Sequence, residues 1–277
     1  MTTASADPVG AQIEHLATEL RLPTVRRMYR RLADEVSNQG GDYIAFLAAI
    51  LRQEVEERRV RRVQRRIKEA RFPQVKLLGD LDFKAESMPP KAQLMDLAQG
   101  RYIDDGRNII ALGNPGTGKT HVATGLAMEA CKQGLRVRFY PVATLAAELE
   151  AAKDEHLLHR YLSRFGRWDL VVLDELGYLP LSQTSAELLF QAISERHERR
   201  SLIVTTNLPF GEWTDIFHTK RLTIALLDRI TDRATILEMN GPSYRLRMSL
   251  PGTADGKPAA NQANEEGRRT PRRTPAR

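Results

Sequence analysis

Cysteine is almost missing from this sequence: Cys131 is the only one in 277 residues. One thiol cannot close an intramolecular disulfide, so a disulfide-stapled fold is excluded and a reducing, cytoplasmic setting is expected. Long apolar runs are missing as well. No stretch approaches the roughly 18 consecutive apolar residues of a membrane helix, and the N-terminus lacks the basic-then-apolar order of a secretory leader, so no membrane partner is expected. There is no zinc-finger spacing, no other base-reading motif and no internal repeat. The composition is not that of a disordered or fibrous chain, because 42% of residues are hydrophobic and 28% charged, which is enough to build a core.

One region is short of acid. Lys plus Arg number 42 against 35 Asp plus Glu, a net charge of +7, which hints only mildly at nucleic acid. The excess is concentrated. Residues 58–71 hold eight bases (Arg58, Arg59, Arg61, Arg62, Arg65, Arg66, Lys68 and Arg71) against the single acid Glu69. Residues 251–277 hold six bases and three acids, with no large apolar side chain. Such a segment cannot offset the entropy of ordering itself, so a disordered basic tail is expected there.

Residues 11–78 read as helical. Ile44, Leu47, Leu51, Val55, Val63 and Ile67 recur at helical spacing, consistent with one face of a helix. Glu54 precedes Arg58, and Glu57 precedes Arg61, by the four residues that favour ion pairing. Phe72-Pro73 stops that helix, and Gly79 and Pro89-Pro90 punctuate a connector. Beyond it, short apolar runs at 108–112, 137–140, 170–173 and 202–205 alternate with helical stretches at 121–131, 144–152 and 186–196. That alternation implies an α/β fold, a parallel sheet flanked by helices. The expected domains are 1–78, small and all-helical with the basic helix; 79–250, the nucleotide-binding unit; and the tail 251–277.

Gly113-Asn114-Pro115-Gly116-Thr117-Gly118-Lys119-Thr120 fills every fixed position of the phosphate-loop pattern, after an apolar strand and before a helix. Glycines let backbone N–H groups curl around phosphate oxygens, and the helix N-terminus adds a favourable field. Lys119 would reach the β- and γ-phosphates of ATP, and the Thr120 hydroxyl would ligate Mg²⁺. Leu170-Val171-Val172-Leu173-Asp174-Glu175 is the partner element. A buried strand delivers Asp174 to hold Mg²⁺ through water, and Glu175 to orient and polarise the attacking water. One strand, at 137–140, separates the two motifs in sequence, as in NTPases that insert a strand between them. Asn207, at the end of the next strand, is placed to bond that water or to serve as a turn residue.

At these residues the sequence resembles AAA+ P-loop ATPases, and among them the IstB-type ATP-binding helpers of bacterial insertion sequences. The likeness spans about residues 10–250. It rests on Gly113 to His121, on Asp174-Glu175-Leu176-Gly177-Tyr178-Leu179-Pro180, on Thr206-Asn207-Leu208-Pro209-Phe210, on Leu226-Leu227-Asp228-Arg229 and on Gly241-Pro242-Ser243-Tyr244-Arg245. The first two are shared with DnaC-type replicative-helicase loaders, which gives the alternative function of helicase loading. The resemblance implies an ATP-hydrolysing homo-oligomer that assembles on double-stranded DNA with little sequence preference. It also implies recruitment or stimulation of a separate transposase, and ATP sites completed by an arginine of the neighbouring subunit. Arg229 matches that position, with Arg233 a second candidate, and Arg245 is open between a γ-phosphate contact and a surface role. The sequence departs from the family pattern at Ile230-Thr231-Asp232-Arg233 and in the length of its tail. A small-molecule kinase would need a lid and an acceptor site, and neither is visible; an ATP-gated scaffold without hydrolysis is a third possibility.

Arg58, Arg59, Arg61, Arg62, Arg65, Arg66 and Lys68 are the candidate DNA contacts, against the alternatives of a protein-docking helix or a solvated face. Phosphate contacts of this kind give salt-dependent affinity and carry no sequence information. His121 falls within the loop stretch, but no second ligand lies at metal spacing. It reads, with His156, His159 and His197, as an ordinary polar helix residue.

Overall fold

The computed structural model describes residues 7–243. The expected tail at 251–277, and Arg245, lie outside the described residues. Three helices come first: α1 (Pro8–Glu19), α2 (Pro23–Asn38) and α3 (Tyr43–Ala70). Side chains start α1 and α3 in the ordinary way, with the Asp7 carboxylate accepting from the Gly10 N–H at 2.8 Å and that of Asp42 from the Ala45 N–H at 2.7 Å. Helix α2 opens on Pro23 and has no cap of its own. Its free N–H groups at Thr24 and Val25 are taken instead by the Glu54 carboxylate of α3, at 2.8 and 3.2 Å. A carboxylate at a helix N-terminus satisfies orphan donors and complements the helix dipole. Helix α3 ends where Arg71 adopts φ +57°, just before Phe72-Pro73.

The expected apolar face of α3 exists but is divided. Ile44, Leu47, Leu51 and Val55 are exposed, Ile44 to 72%, while Ile67, near the other end, packs with Phe72 into the core beneath the sheet. The difference follows from where the helix docks. Only the last turns of α3 lie on the nucleotide-binding body, held by Arg66 Nε donating to the Gly134 carbonyl at 3.0 Å and by Arg138 donating to that of Glu69 at 3.1 Å.

After a 3₁₀ turn at Leu78–Asp80, α4 (Lys91–Ala98) and the short α5 (Arg101–Asp104) lead into β1 (Ile109–Leu112). There follow α6 (Lys119–Lys132), β2 (Val137–Pro141), α7 (Val142–Asp154), α8 (Leu158–Phe165), β3 (Leu170–Leu176), α9 (Gln183–Ser194), β4 (Ser201–Thr206), α10 (Thr214–Phe217), α11 (Lys220–Thr231) and β5 (Thr235–Glu238). All strands are parallel, in the order β2-β3-β4-β1-β5. The sheet and flanking helices match the α/β reading. The strand that separates the two motifs in sequence, β2, lies at the sheet edge, and it is β4 that sits between the phosphate-loop strand and the acidic strand in space.

Strand side chains alternate between two apolar layers. Ile110, Val171, Leu173 and Val204 face the layer built with α7, α8, α9 and α11. Ile109, Ala111, Val172 and Ile203 face the layer built with α4, α6 and the end of α3. Burial on both faces explains why the strands read as continuous apolar runs. Trp213 and Cys131 are fully buried, and burial pushes the Cys131 thiol up to about 12, as fits core residues. Arg196 is a buried clamp, donating to the carbonyls of Phe165, Trp168 and Ser201 at 2.9–3.1 Å.

Candidate nucleotide-binding site

The phosphate loop leaves the C-terminal end of β1 and enters α6. At Gly113 a Cβ would stand 2.2 Å from the Met239 carbonyl oxygen, and at Gly116 φ is +79°. Only glycine meets both demands, a close approach and a left-handed turn. Lys119 is buried, and its ammonium donates to the carbonyls of Gly113 at 2.8 Å and Asn114 at 2.6 Å. The lysine thus lies along the loop that it is expected to serve.

Strand β3 brings the acids to the same place. Asp174 is buried, and its Oδ1 accepts from the Thr120 hydroxyl at 2.9 Å. The two expected metal-holding residues are therefore in direct contact. A second hydroxyl, Thr205 of β4, donates to the same oxygen at 2.6 Å and accepts from the Glu175 N–H at 2.9 Å. Glu175 is itself at φ +61°, in the left-handed region that non-glycine residues seldom adopt.

Glu175 and Asn207 line one cleft of about 430 Å³ with Pro115, Gly116, Thr117, Gly118, Lys119, Thr120 and His121. Volumes of this order suit a small-molecule ligand. His121 Nε2 lies 2.9 Å from the Leu77 carbonyl, so it donates there and ties the connector to α6. Asn114 Nδ2 reaches the Gly241 carbonyl at 3.4 Å.

Sequence reasoning missed a connector wall of this cleft. Asp80, Leu81, Asp82, Ser87 and Met88 form it, from a connector with no motif and no periodicity. It also missed Thr205, whose only sequence signal is a polar residue closing an apolar strand.

Arg229 lies elsewhere. Its guanidinium donates to Ser194 Oγ at 2.7 Å and stacks 4.4 Å from the Phe190 ring centre. With Arg233 it lines a small cavity beside Asn108, at the far end of β1 from the phosphate loop. His197, Glu198 and Asp232 border that cavity and bring ligating atoms within 4.8 Å of one another, but the two guanidinium charges oppose a cation there.

The basic helix is less free than its count of charges implied. Arg58 bonds Glu54 at 2.7 Å, Arg61 bonds Glu57 at 2.8 Å, and Arg66 bonds Glu69 at 2.9 Å; Arg65 lies 3.9 Å from Glu69. Arg27 of α2 pairs with Glu57 as well. Arg59, Arg62 and Lys68 are exposed and form no ion pair among the described residues. Hydrogen bonds from Arg58 and the α2 amides hold Glu54 below the usual carboxylate range, against the opposing effect of burial. No helix of the described residues is long and apolar enough to cross a membrane.

Residues 15–251 match the family described as IstB-like ATP binding protein. The chain is 37% identical over 252 residues to an insertion-sequence ATP-binding protein of Sinorhizobium fredii, covering 90% of this chain and 85% of that one. It is 35% identical to the insertion sequence IS21 ATP-binding protein of Pseudomonas aeruginosa, covering 85% and 89%. Among solved structures it is similar to DnaI, with a TM-score of 0.50 and 19% identity over 59% of this chain and 90% of that one, a likeness of fold.

Proposed function

The chain belongs to the family of IstB-like ATP-binding proteins, and from that premise we propose that it is an ATP-hydrolysing AAA+ regulator of insertion-sequence transposition. It assembles on duplex DNA with ATP bound and recruits or stimulates a transposase. The observation that carries the reading is the contact between Thr120 and Asp174 at 2.9 Å, in register with a cleft that Glu175 enters. Phosphate-loop chemistry needs a hydroxyl, a carboxylate and a base at one place, and these three residues supply them.

Backbone amides of the loop and the N-terminus of α6 receive the phosphates. Lys119 exchanges its two carbonyl partners for phosphate oxygens. The Thr120 hydroxyl and the Asp174 carboxylate are hard oxygen donors side by side, a set that fits Mg²⁺, and they are the residues that would hold it, Asp174 through water. When bound, the ion neutralises charge developing on the transferred phosphoryl group. Glu175 orients a water and accepts its proton, and Asn207, just past the end of β4, bonds the same water. Arg229 does not line the cleft of its own chain, which supports service to the site of a neighbouring subunit. Arg59, Arg62 and Lys68 meet DNA phosphates, with Arg58, Arg61, Arg65 and Arg66 contributing where their carboxylate partners allow.

Sedimentation with nonspecific duplex DNA tests the assembly. We expect large particles only when DNA, ATP and Mg²⁺ are all present, and none for Lys119→Ala. Particles of one size with and without nucleotide would refute the reading. Capture of a replicative helicase in place of a transposase would favour helicase loading.

A further inference from the structure

The acids of the site are consecutive, Asp174 and Glu175, yet both serve one crevice: Asp174 touches Thr120 and Glu175 lines the cleft. A regular strand cannot do this, because successive side chains point to opposite faces. The register shows how the conflict is resolved. Leu173 pairs with Val204 and Leu176 with Thr206, so two residues of β3, Asp174 and Glu175, stand against the single residue Thr205 of β4. This is a bulge, the device that re-aims a side chain beside an active site, and it is rare between parallel strands. Glu175 takes up the extra length at φ +61°.

We propose that Thr205 is a positioning residue for ATP hydrolysis, its hydroxyl pinning the bulge that turns Glu175 into the cleft. The residue is 1% exposed, and its one hydroxyl does two tasks. It accepts from the Glu175 N–H at 2.9 Å, a side-chain bond at the point where the ladder register shifts. It also donates to Asp174 Oδ1 at 2.6 Å, beside the Thr120 hydroxyl on the same oxygen. With two hydroxyls on Oδ1, the Asp174 carboxylate is fixed in rotation. The neighbouring Thr206 takes no part, since its hydroxyl closes the turn at Leu208 instead. The residue that replaces Thr205 must therefore carry a hydroxyl and be small. A part-buried N–H left without its acceptor, at a residue already in an unfavourable backbone region, would let the bulge relax and withdraw Glu175.

The inference rests on the hydrolytic reading given above, and its test separates the two. Thr205→Ala and Thr205→Ser both lose the methyl group, and only the second keeps the hydroxyl; Thr205→Val keeps the buried volume should the alanine variant fail to fold. For the full chain with duplex DNA we expect Thr205→Ala to lower kcat about tenfold or more, with KM and ATP affinity within about twofold. Thr205→Ser should stay within about threefold of the parent, and Thr205→Val should behave as Thr205→Ala. A hydroxyl-free variant with the parent's kcat overturns the proposal, as does a serine variant as slow as the alanine one. If the parent chain itself hydrolyses nothing, the hydrolytic reading fails, and the pin is judged by titrating Mg²⁺ against ATP affinity. There Thr205→Ala should raise the Mg²⁺ midpoint several-fold and Thr205→Ser should not, and an unmoved midpoint overturns the proposal.

Discussion

The nucleotide cleft and helix α3 both carry a dense row of functional residue types, and they behave in opposite ways. In the cleft, residues far apart in sequence meet: Thr120, Asp174 and Thr205 share one carboxylate oxygen across three elements. In α3, residues close in sequence cancel, because Glu54, Glu57 and Glu69 pair with Arg58, Arg61, Arg65 and Arg66 within a turn. The cleft is thus more interlocked than its motifs suggest, and the helix is less charged than its composition suggests. A motif names atoms that must converge on a ligand, whereas a charge count names only a total. Among the candidate DNA contacts, the free part of that total is carried by Arg59, Arg62 and Lys68.

Breaking the cleft should give the largest effect. Lys119→Ala is expected to weaken ATP binding and lower hydrolysis by about 10²-fold or more, measured by phosphate release, while a triple reversal of Arg59, Arg62 and Lys68 should leave DNA-free hydrolysis near that of the parent. Equal losses would erase the distinction between the two regions. Next in size is Arg229, which belongs to neither. Arg229→Ala should hydrolyse ATP about tenfold or more slowly when assembled. Mixing it with Glu175→Gln, which keeps ATP binding and its own arginine, should restore activity, because some interfaces then pair an intact cleft with an intact arginine. Absence of restoration in the mixture would place the arginine's contribution within its own chain, at Ser194 and Phe190.

Helix α3 offers a sharper contrast within itself. Reversing Arg59, Arg62 and Lys68 should lower the slope of log affinity against log salt by about 2 to 3, near 0.9 for each DNA phosphate that is no longer neutralised. Reversing Arg58, Arg61 and Arg65 should lower it less, since their charges are already shared with acids. Equal slopes would mean that the ion pairs open on DNA. The smallest effect expected is on stability. Glu54→Gln should destabilise the helical unit by about 1.5–3 kcal/mol, the range for hydrogen bonds to a charged group, read by chemical denaturation. Glu54 titrates lower in the folded chain than in the unfolded one. The unfolded chain therefore binds the proton first as pH falls, and this stability, full above the ordinary carboxylate range, is lost through and below that range. In Glu54→Gln that acid-dependent loss should vanish.

The legible part of the molecule was the part with a period or a motif. Buried strands announced themselves as apolar runs, and the phosphate loop and acidic strand carried enough fixed positions to place Lys119, Thr120, Asp174 and Glu175. Strand β5 escaped notice because Thr235–Glu238 lies at the sheet edge with mixed burial. The Asp80 to Met88 wall escaped because irregular backbone leaves no pattern. The role of Glu54 was hidden for another reason. As an i,i+4 partner of Arg58 it was visible, but its capping of α2 depends on how two helices pack, which no local rule reports. The exposed Ile44, Leu47 and Leu51 show the converse, a helical stripe whose spacing fixes the helix and not what lies against it.

The most direct test of the cleft is hydrolysis by Glu175→Gln beside the parent chain, with duplex DNA and Mg²⁺ present and ATP affinity measured in parallel. We expect ATP to bind the variant as tightly as the parent and to be hydrolysed about 10²-fold more slowly. Equal rates in the two proteins would contradict hydrolysis at this site and leave an ATP-gated scaffold.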